Sequence, residues 1–90
     1  MPKSLRVVVD EREKTSGIPT LLKEFGLLVE YRMLEVGDYI VSPDSAVERK
    51  QERDFLKSLY SGRLFDQAYR LSRAYEHSIL IVEGLSLIHI

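Results

Sequence analysis

Apolar residues along the chain alternate between two rhythms, one suited to strands and one to helices. Leu5 to Val9 is a continuous, mostly β-branched run closed by Asp10, and it reads as a buried strand. Thr15-Ser16-Gly17-Ile18-Pro19 carries helix-start chemistry, with hydroxyls for capping and a proline that a first turn tolerates. The helix it opens is expected to reach Phe25 and stop at Gly26, a residue suited to a C-cap. Leu27 to Leu34 reads as a second strand, and Gly37-Asp38 as a turn leading into Tyr39-Ile40-Val41. Ser42-Pro43-Asp44-Ser45 is the clearest turn in the chain, so Tyr39–Val41 and Ala46–Lys50 are expected to pair as a hairpin. Arg53 to Tyr60 reads as a helix broken by Ser61-Gly62. Beyond it Leu64, Phe65, Ala68, Leu71, Ser72 and Tyr75 recur at helical spacing, with Asp66, Gln67, Arg70 and Arg73 on the other side. Ile79 to Val82 is a last strand. The order β-α-β-β-β-α-α-β implies an α/β or α+β domain, one sheet with helices against it.

Composition narrows the class. Ninety residues make one small domain, and 44% hydrophobic with 30% charged residues is globular rather than disordered. The absence of cysteine excludes a disulfide framework, a thiolate nucleophile and a cysteine zinc site. No apolar stretch approaches the roughly 20 residues that span a bilayer, and MPKSLRVVVD has no signal-peptide character, so an intracellular protein without a membrane partner is expected. The chain closes on Leu85-Ser86-Leu87-Ile88-His89-Ile90, apolar and without a polar tail. That end is either an exposed strand edge or the cut end of a longer domain, and the second reading is favoured.

The chemistry gathers in VERKQERD, where Glu48, Arg49, Lys50, Glu52, Arg53 and Asp54 crowd a few positions. On a strand Glu48 and Lys50 are two apart and project from one face. Taken alone such a pair is an ordinary surface ion pair, worth about 0–1 kcal/mol. Two further carboxylates, Asp10 and Asp38, also stand at strand ends or turns, where separate parts of a sheet converge. Hard divalent cations such as Mg²⁺ take one or two carboxylates together with water and substrate phosphate. A metal-bound water becomes a hydroxide-like nucleophile, and a neighbouring amine can orient it or offset developing charge.

GDYIVSPDSAVERKQERD resembles the signature of the XPF family of structure-specific DNA endonucleases: Gly-Asp, a short gap, Glu-Arg-Lys, three residues, Asp. Gly37, Asp38, Glu48, Arg49, Lys50 and Asp54 fill it. VVVDEREK resembles the family's D-x-R-E strand, SLYSGRLFDQAYRL its S-G-R-L-F-x-Q helix pair, and ILIVEG the strand that follows. The resemblance implies a restriction-endonuclease-like, PD-(D/E)xK fold, a central mixed sheet flanked by helices, with residues 1–90 as one nuclease domain incomplete at its C-terminus. It implies Mg²⁺- or Mn²⁺-dependent cleavage of DNA near branches, flaps or forks, in repair and recombination. Asp38 and Glu48 would be metal ligands, Asp10 a further acidic group of the site, and Lys50 the catalytic cation. Arg12 and Arg49 would contact phosphate, and Asp54 would support Arg49 or Lys50 from the next helix. The implied partners are junction DNA, a second subunit in a homodimer or heterodimer, and a sliding clamp. The implied compartment is the cytoplasm of a prokaryote or the nucleus of a eukaryote. A second reading, a catalytically silent DNA-binding or dimerisation partner of the same fold, is set against the intact Glu48-Arg49-Lys50.

Net charge is only −1, yet from Arg49 to Arg73 seven basic residues face three acidic ones, so DNA affinity would be local. Arg63 at a helix start, Arg70 and Gln67 are the candidate backbone contacts there, while Arg70 and Arg73 also suit a solvated helix face. Most of the tyrosines read as core or core-edge residues, and Glu13 as a surface charge at the rim of the site.

Overall fold

A computed structural model describes residues 5–84; the expectations for Leu85–Ile90 lie outside this range. Five strands form one mixed sheet: β1 (Arg6–Asp10), β2 (Leu28–Arg32), β3 (Tyr39–Ser42), β4 (Ser45–Gln51) and β5 (His77–Glu83). Their spatial order is β2-β1-β3-β4-β5. β1 runs parallel to β2 and β4 parallel to β5, while β3 lies antiparallel between β1 and β4. Helix α1 (Ile18–Glu24) makes the first parallel crossover, and α2 (Glu52–Ser61) with α3 (Arg63–Ala74) makes the second. One crossover adds a strand at one edge and the other at the opposite edge. Right-handed connections therefore place α1 and the α2–α3 pair on opposite faces of the sheet.

The alternation of each strand distributes its side chains between those faces. Val7, Val9 and Tyr39 are buried with Ile18, Leu22, Leu27, Val29, Tyr31 and Val47 on the α1 face. Asp10, Ala46, Glu48 and Lys50 alternate with these residues and belong to the α3 face, as does Leu71 of the helix itself.

Element boundaries move where a side chain takes a backbone partner. Thr15 and Ser16 lie in a 3₁₀ segment, Glu11–Ser16, rather than in the helix. Gly17 then turns the chain at φ 84°, and the Ser16 hydroxyl accepts the Ile18 amide at 3.1 Å. β2 ends at Arg32, before the expected Leu34, because the Leu34 amide donates instead to the Asp10 carboxylate at 2.9 Å. The Ser42–Ser45 hairpin forms as expected, with a register shift between Ile40 and Ser42. On α3 two expectations change. Phe65 is 70% exposed, and Gln67, expected on the polar side, turns toward the sheet. The helix presents Leu64, Gln67, Ala68 and Leu71 inward, so Phe65 falls about 100° from Leu64, on the flank.

Gly37 carries the tightest demand. At φ 84° it turns the chain into β3, and an added Cβ would lie 3.5 Å from both the Ala46 Cβ and the Leu71 Cδ1. The space is ordinary; the backbone conformation is what excludes a side chain. Gly37→Ala is expected to destabilise the domain by about 1–2 kcal/mol, read as a lower denaturant midpoint at unchanged slope.

Candidate active site

Just beyond Gly37 the sheet opens. The hairpin pairing ends at Tyr39 opposite Val47, yet β4 continues to Gln51. Asp38 fills the vacated ladder position with both backbone and side chain. Its amide donates to the Val47 carbonyl at 2.9 Å, its carbonyl accepts the Asp10 amide at 2.8 Å, and its Oδ2 accepts the Arg49 amide at 2.8 Å. The carboxylate is thereby pinned beside Glu48, which projects from the middle of β4 rather than from its end. Both line a cleft of about 320 Å³ with Asp10, Arg12, Gln67 and Arg70. The cleft sits at the carboxyl end of β1 and beside the middle of β4, close to where open α/β sheets bind ligands.

The electrostatics are those of an anionic site short of a cation. Glu48 is held up at about 7, first by burial and then by the Asp38 charge, with Lys50 pulling the other way. Burial also raises Asp38, against the opposing hydrogen bond from the Arg49 amide. Among the described residues no donor reaches the Glu48 carboxylate within hydrogen-bond distance, and Glu48 and Lys50 form no ion pair. Lys50 is nevertheless on the face of Glu48. Both line an adjoining hollow of about 260 Å³ with Leu64, Gln67 and Leu71. Gln67 lines both spaces, and its amide oxygen is buried without a donor among the described residues.

Asp10 departs from the expected three-carboxylate metal site. It is only 1% exposed, and its oxygens accept four hydrogen bonds. Oδ2 takes Arg12 Nε at 2.7 Å and the Arg12 amide at 3.3 Å; Oδ1 takes Arg12 Nη2 at 3.1 Å and the Leu34 amide at 2.9 Å. A carboxylate has about four lone-pair sites, so with these four donors in place Asp10 offers a cation less than Asp38 and Glu48 do. The Arg12 guanidinium, the largest influence, holds Asp10 below the usual carboxylate range. Among the described residues no three carboxylate or imidazole groups gather closely enough to hold a metal by themselves. Asp38 and Glu48 remain, a pair of hard oxygen donors of the number Mg²⁺ commonly takes from a protein. Two half-buried carboxylates, raised by burial and by neighbouring negative charge, suit a divalent cation.

The basic groups divide differently from expectation. Arg12 is anchored by Asp10 and by the Leu34 carbonyl at 2.9 Å, which leaves its Nη1 without an acceptor among the described residues, at the cleft wall. Arg70 lines the same cleft, and Arg63 stands exposed at the start of α3. Arg49 points through the sheet. Its guanidinium lies on the α1 face, bound to Glu13 and to Glu83, so its contribution to the cleft is its backbone amide. Asp54 is exposed on α2 and, among the described residues, makes no hydrogen bond or ion pair with Arg49 or Lys50. Glu13, read as a rim charge, is 8% exposed and accepts the Tyr39 hydroxyl at 2.6 Å. The exposed Tyr69, stacked near Arg73, also departs from the expected core placement.

The profile of the ERCC4 domain matches residues 9–90. The chain belongs to the ERCC4 domain family. This ERCC4 domain is 50% identical over 80 residues to the 3′-flap repair endonuclease Xpf of Saccharolobus solfataricus, covering 89% of this chain and 34% of that protein. It is 46% identical over 77 residues to the DNA repair endonuclease XPF of Mus musculus, covering 86% of this chain and 8% of that protein. The solved structure of XPF from Aeropyrum pernix superposes with a TM-score of 0.85 at 50% identity, over 89% of this chain and 38% of that one. The same protein in complex with DNA gives 0.85 at 49% identity, over 90% and 40%. The ERCC4 domain described here thus spans about a third of the archaeal relative's length, and its mixed sheet with flanking helices is the restriction-endonuclease-like fold. No described helix is long and apolar enough to cross a membrane.

Between pH 4.5, the ordinary glutamate value, and about 7, folded Glu48 keeps a proton that the unfolded chain has released. Metal-free stability is therefore expected to fall as pH rises across that window. Glu48→Gln should remove this slope and stabilise the metal-free protein at pH 8 by on the order of 2 kcal/mol, checked by denaturation at several pH values.

Proposed function

We propose that this ERCC4 domain is the catalytic part of a metal-dependent, structure-specific DNA endonuclease that hydrolyses a phosphodiester near branched, flap or fork junctions. One observation carries the reading: Asp38 and Glu48 share a cleft with no ion-pair partner of their own among the described residues, and arginines stand at its wall. The relatives named as repair endonucleases, and the DNA complex of the Aeropyrum pernix protein, support it.

Asp38 and Glu48 would hold Mg²⁺ or Mn²⁺. When bound, such an ion lowers the pKa of a water and offsets charge on the phosphate under attack. Asp38 keeps its place through the Arg49 amide, with its Oδ1 left facing the cleft. Arg12, oriented by Asp10, offers Nη1 to a phosphate oxygen, and Arg70 on α3 offers a second positive charge at the same cleft. The Lys50 ammonium, on the face of Glu48, stabilises negative charge as the phosphate becomes pentacoordinate. Arg63 and Gln67 extend the contact along α3 toward the DNA backbone. In the longer protein, pairing with a second subunit and with a sliding clamp would position this cleft on the junction.

On a labelled 3′-flap or fork substrate, cleavage is expected to require Mg²⁺ or Mn²⁺. Asp38→Asn and Glu48→Gln should each lower the rate by more than about 100-fold, since even outer-shell changes at metal sites cost 10–100-fold. DNA binding should persist; equal loss of binding and cutting would contradict the metal role. Arg70→Ala should weaken binding on all sequences and reduce the slope of log affinity against log salt by about 1, measured by fluorescence anisotropy.

A further inference from the structure

The residues that follow the two cleft carboxylates in sequence, Tyr39 after Asp38 and Arg49 after Glu48, meet on the opposite face of the sheet at one buried side chain. Glu13 Oε1 accepts the Tyr39 hydroxyl at 2.6 Å and Arg49 Nε at 2.8 Å, while Oε2 accepts Arg49 Nη2 at 3.3 Å. Glu83, at the end of β5, binds the other terminal nitrogen of Arg49. Glu13 follows Arg12 in the 3₁₀ segment after β1, so the stretch Asp10 to Glu13 reaches both faces. Asp10 and Arg12 serve the cleft, and Glu13 serves the α1 face.

Strand alternation converts this into a constraint on the cleft. A side chain on one face and its neighbour on the other share a peptide unit, so fixing Tyr39 against Arg49 fixes Asp38 against Glu48. The hairpin ladder cannot do this, because β3–β4 pairing ends at Tyr39 and Val47. Beyond the Asp38 amide's bond to the Val47 carbonyl, two links among the described residues span the gap. One is the Arg49 amide to Asp38 Oδ2 at 2.8 Å, on the cleft side; the other is the Glu13 bridge behind it. Because Asp38 spends one carboxylate oxygen on that first bond, any loosening behind the sheet changes the donor that a cation would meet.

We propose that Glu13 is a positioning residue for the cation site: its carboxylate clamps Tyr39 to Arg49 and so sets the spacing of Asp38 and Glu48 across the sheet. The inference rests on the cation-binding reading of the cleft, but its first test requires no metal.

Glu13→Gln keeps the shape and an acceptor for Tyr39 while removing the charge that grips Arg49, and Tyr39→Phe removes one leg of the clamp with little change in packing. Both are made in the full-length protein. Hydrogen exchange then reads the Arg49 amide against the Leu28 amide, which donates to Leu5 far from the clamp. In Glu13→Gln the Arg49 amide should exchange about tenfold faster relative to Leu28, and Tyr39→Phe should show a smaller change in the same direction. Mn²⁺ affinity, measured by electron paramagnetic resonance well below the melting temperature, should fall about tenfold in Glu13→Gln, in the range of outer-shell changes at metal sites. Unchanged relative exchange at Arg49 in both variants would overturn the clamp. A lowered melting temperature with wild-type Mn²⁺ affinity would overturn its role at the cation site, leaving a purely structural carboxylate. If instead the wild type binds no Mn²⁺ while the exchange at Arg49 responds as expected, the clamp stands and the cation reading of the cleft falls.

Discussion

The Asp38 carboxylate, accepting the Arg49 amide at 2.8 Å, is the contact on which the site depends. Gly37 takes the chain through a left-handed turn, so β3 starts only at Tyr39 and leaves β4 without a ladder partner on that side beyond Val47. An unpaired buried amide is costly, of the order of 1–3 kcal/mol, and the aspartate side chain supplies the missing acceptor. The same bond holds one carboxylate oxygen inside the sheet and leaves the other beside Glu48. Folding therefore brings two acids together at a place where the backbone requires one of them. Burial is the main cause of the raised pKa of each; the Asp38 charge adds to that of Glu48, and the charges of Glu13 and Asp10 add to that of Asp38.

The rest of the charged residues make sense around that pair. Asp10 is saturated by Arg12 and Leu34, which turns an apparent third acid into the anchor of an arginine. Arg49 is held by Glu13 and Glu83, which turns an apparent phosphate contact into a tie joining the 3₁₀ segment, β4 and β5. Buried ion pairs of this kind add little net stability but penalise the loss of either partner heavily. They hold geometry, and around the cleft geometry is what a cation and a phosphate together would read. Among the described residues around the cleft, Glu48, Lys50, the Arg12 Nη1 and the Gln67 amide oxygen have no hydrogen-bond partner, and they line the spaces on the α3 face of the sheet.

Much of this was legible in the chain. The strand alternation of β4 put Glu48 and Lys50 on one face, and the Ser42–Ser45 turn brought Asp38 alongside β4, because both depend on local geometry. The motif blocks were specific enough to identify the family before any coordinates. What local patterns could not reveal were bonds between residues far apart in sequence: Glu13 with Arg49 and Tyr39, or Asp10 with the Leu34 amide. Those depend on the strand order β2-β1-β3-β4-β5, which periodicity does not encode. One signal was available in hindsight. A carboxylate directly after Arg12 in D-x-R-E, at a turn leaving a buried strand, must face away from the cleft that Asp10 and Arg12 occupy. Phe65 misled for a different reason: it is apolar and one position from Leu64, but the inward stripe of α3 is narrow enough to leave it in solvent.

The cation site can be located directly by following backbone amide resonances during a titration with substoichiometric Mn²⁺. The account predicts that amides of Gly37, Asp38, Glu48 and Arg49 broaden first, with Asp10 close behind. Those of Arg53 and Tyr60 on α2 should remain sharp. Broadening that begins at the exposed acids of α2, with the Asp38 and Glu48 amides unaffected, would contradict it.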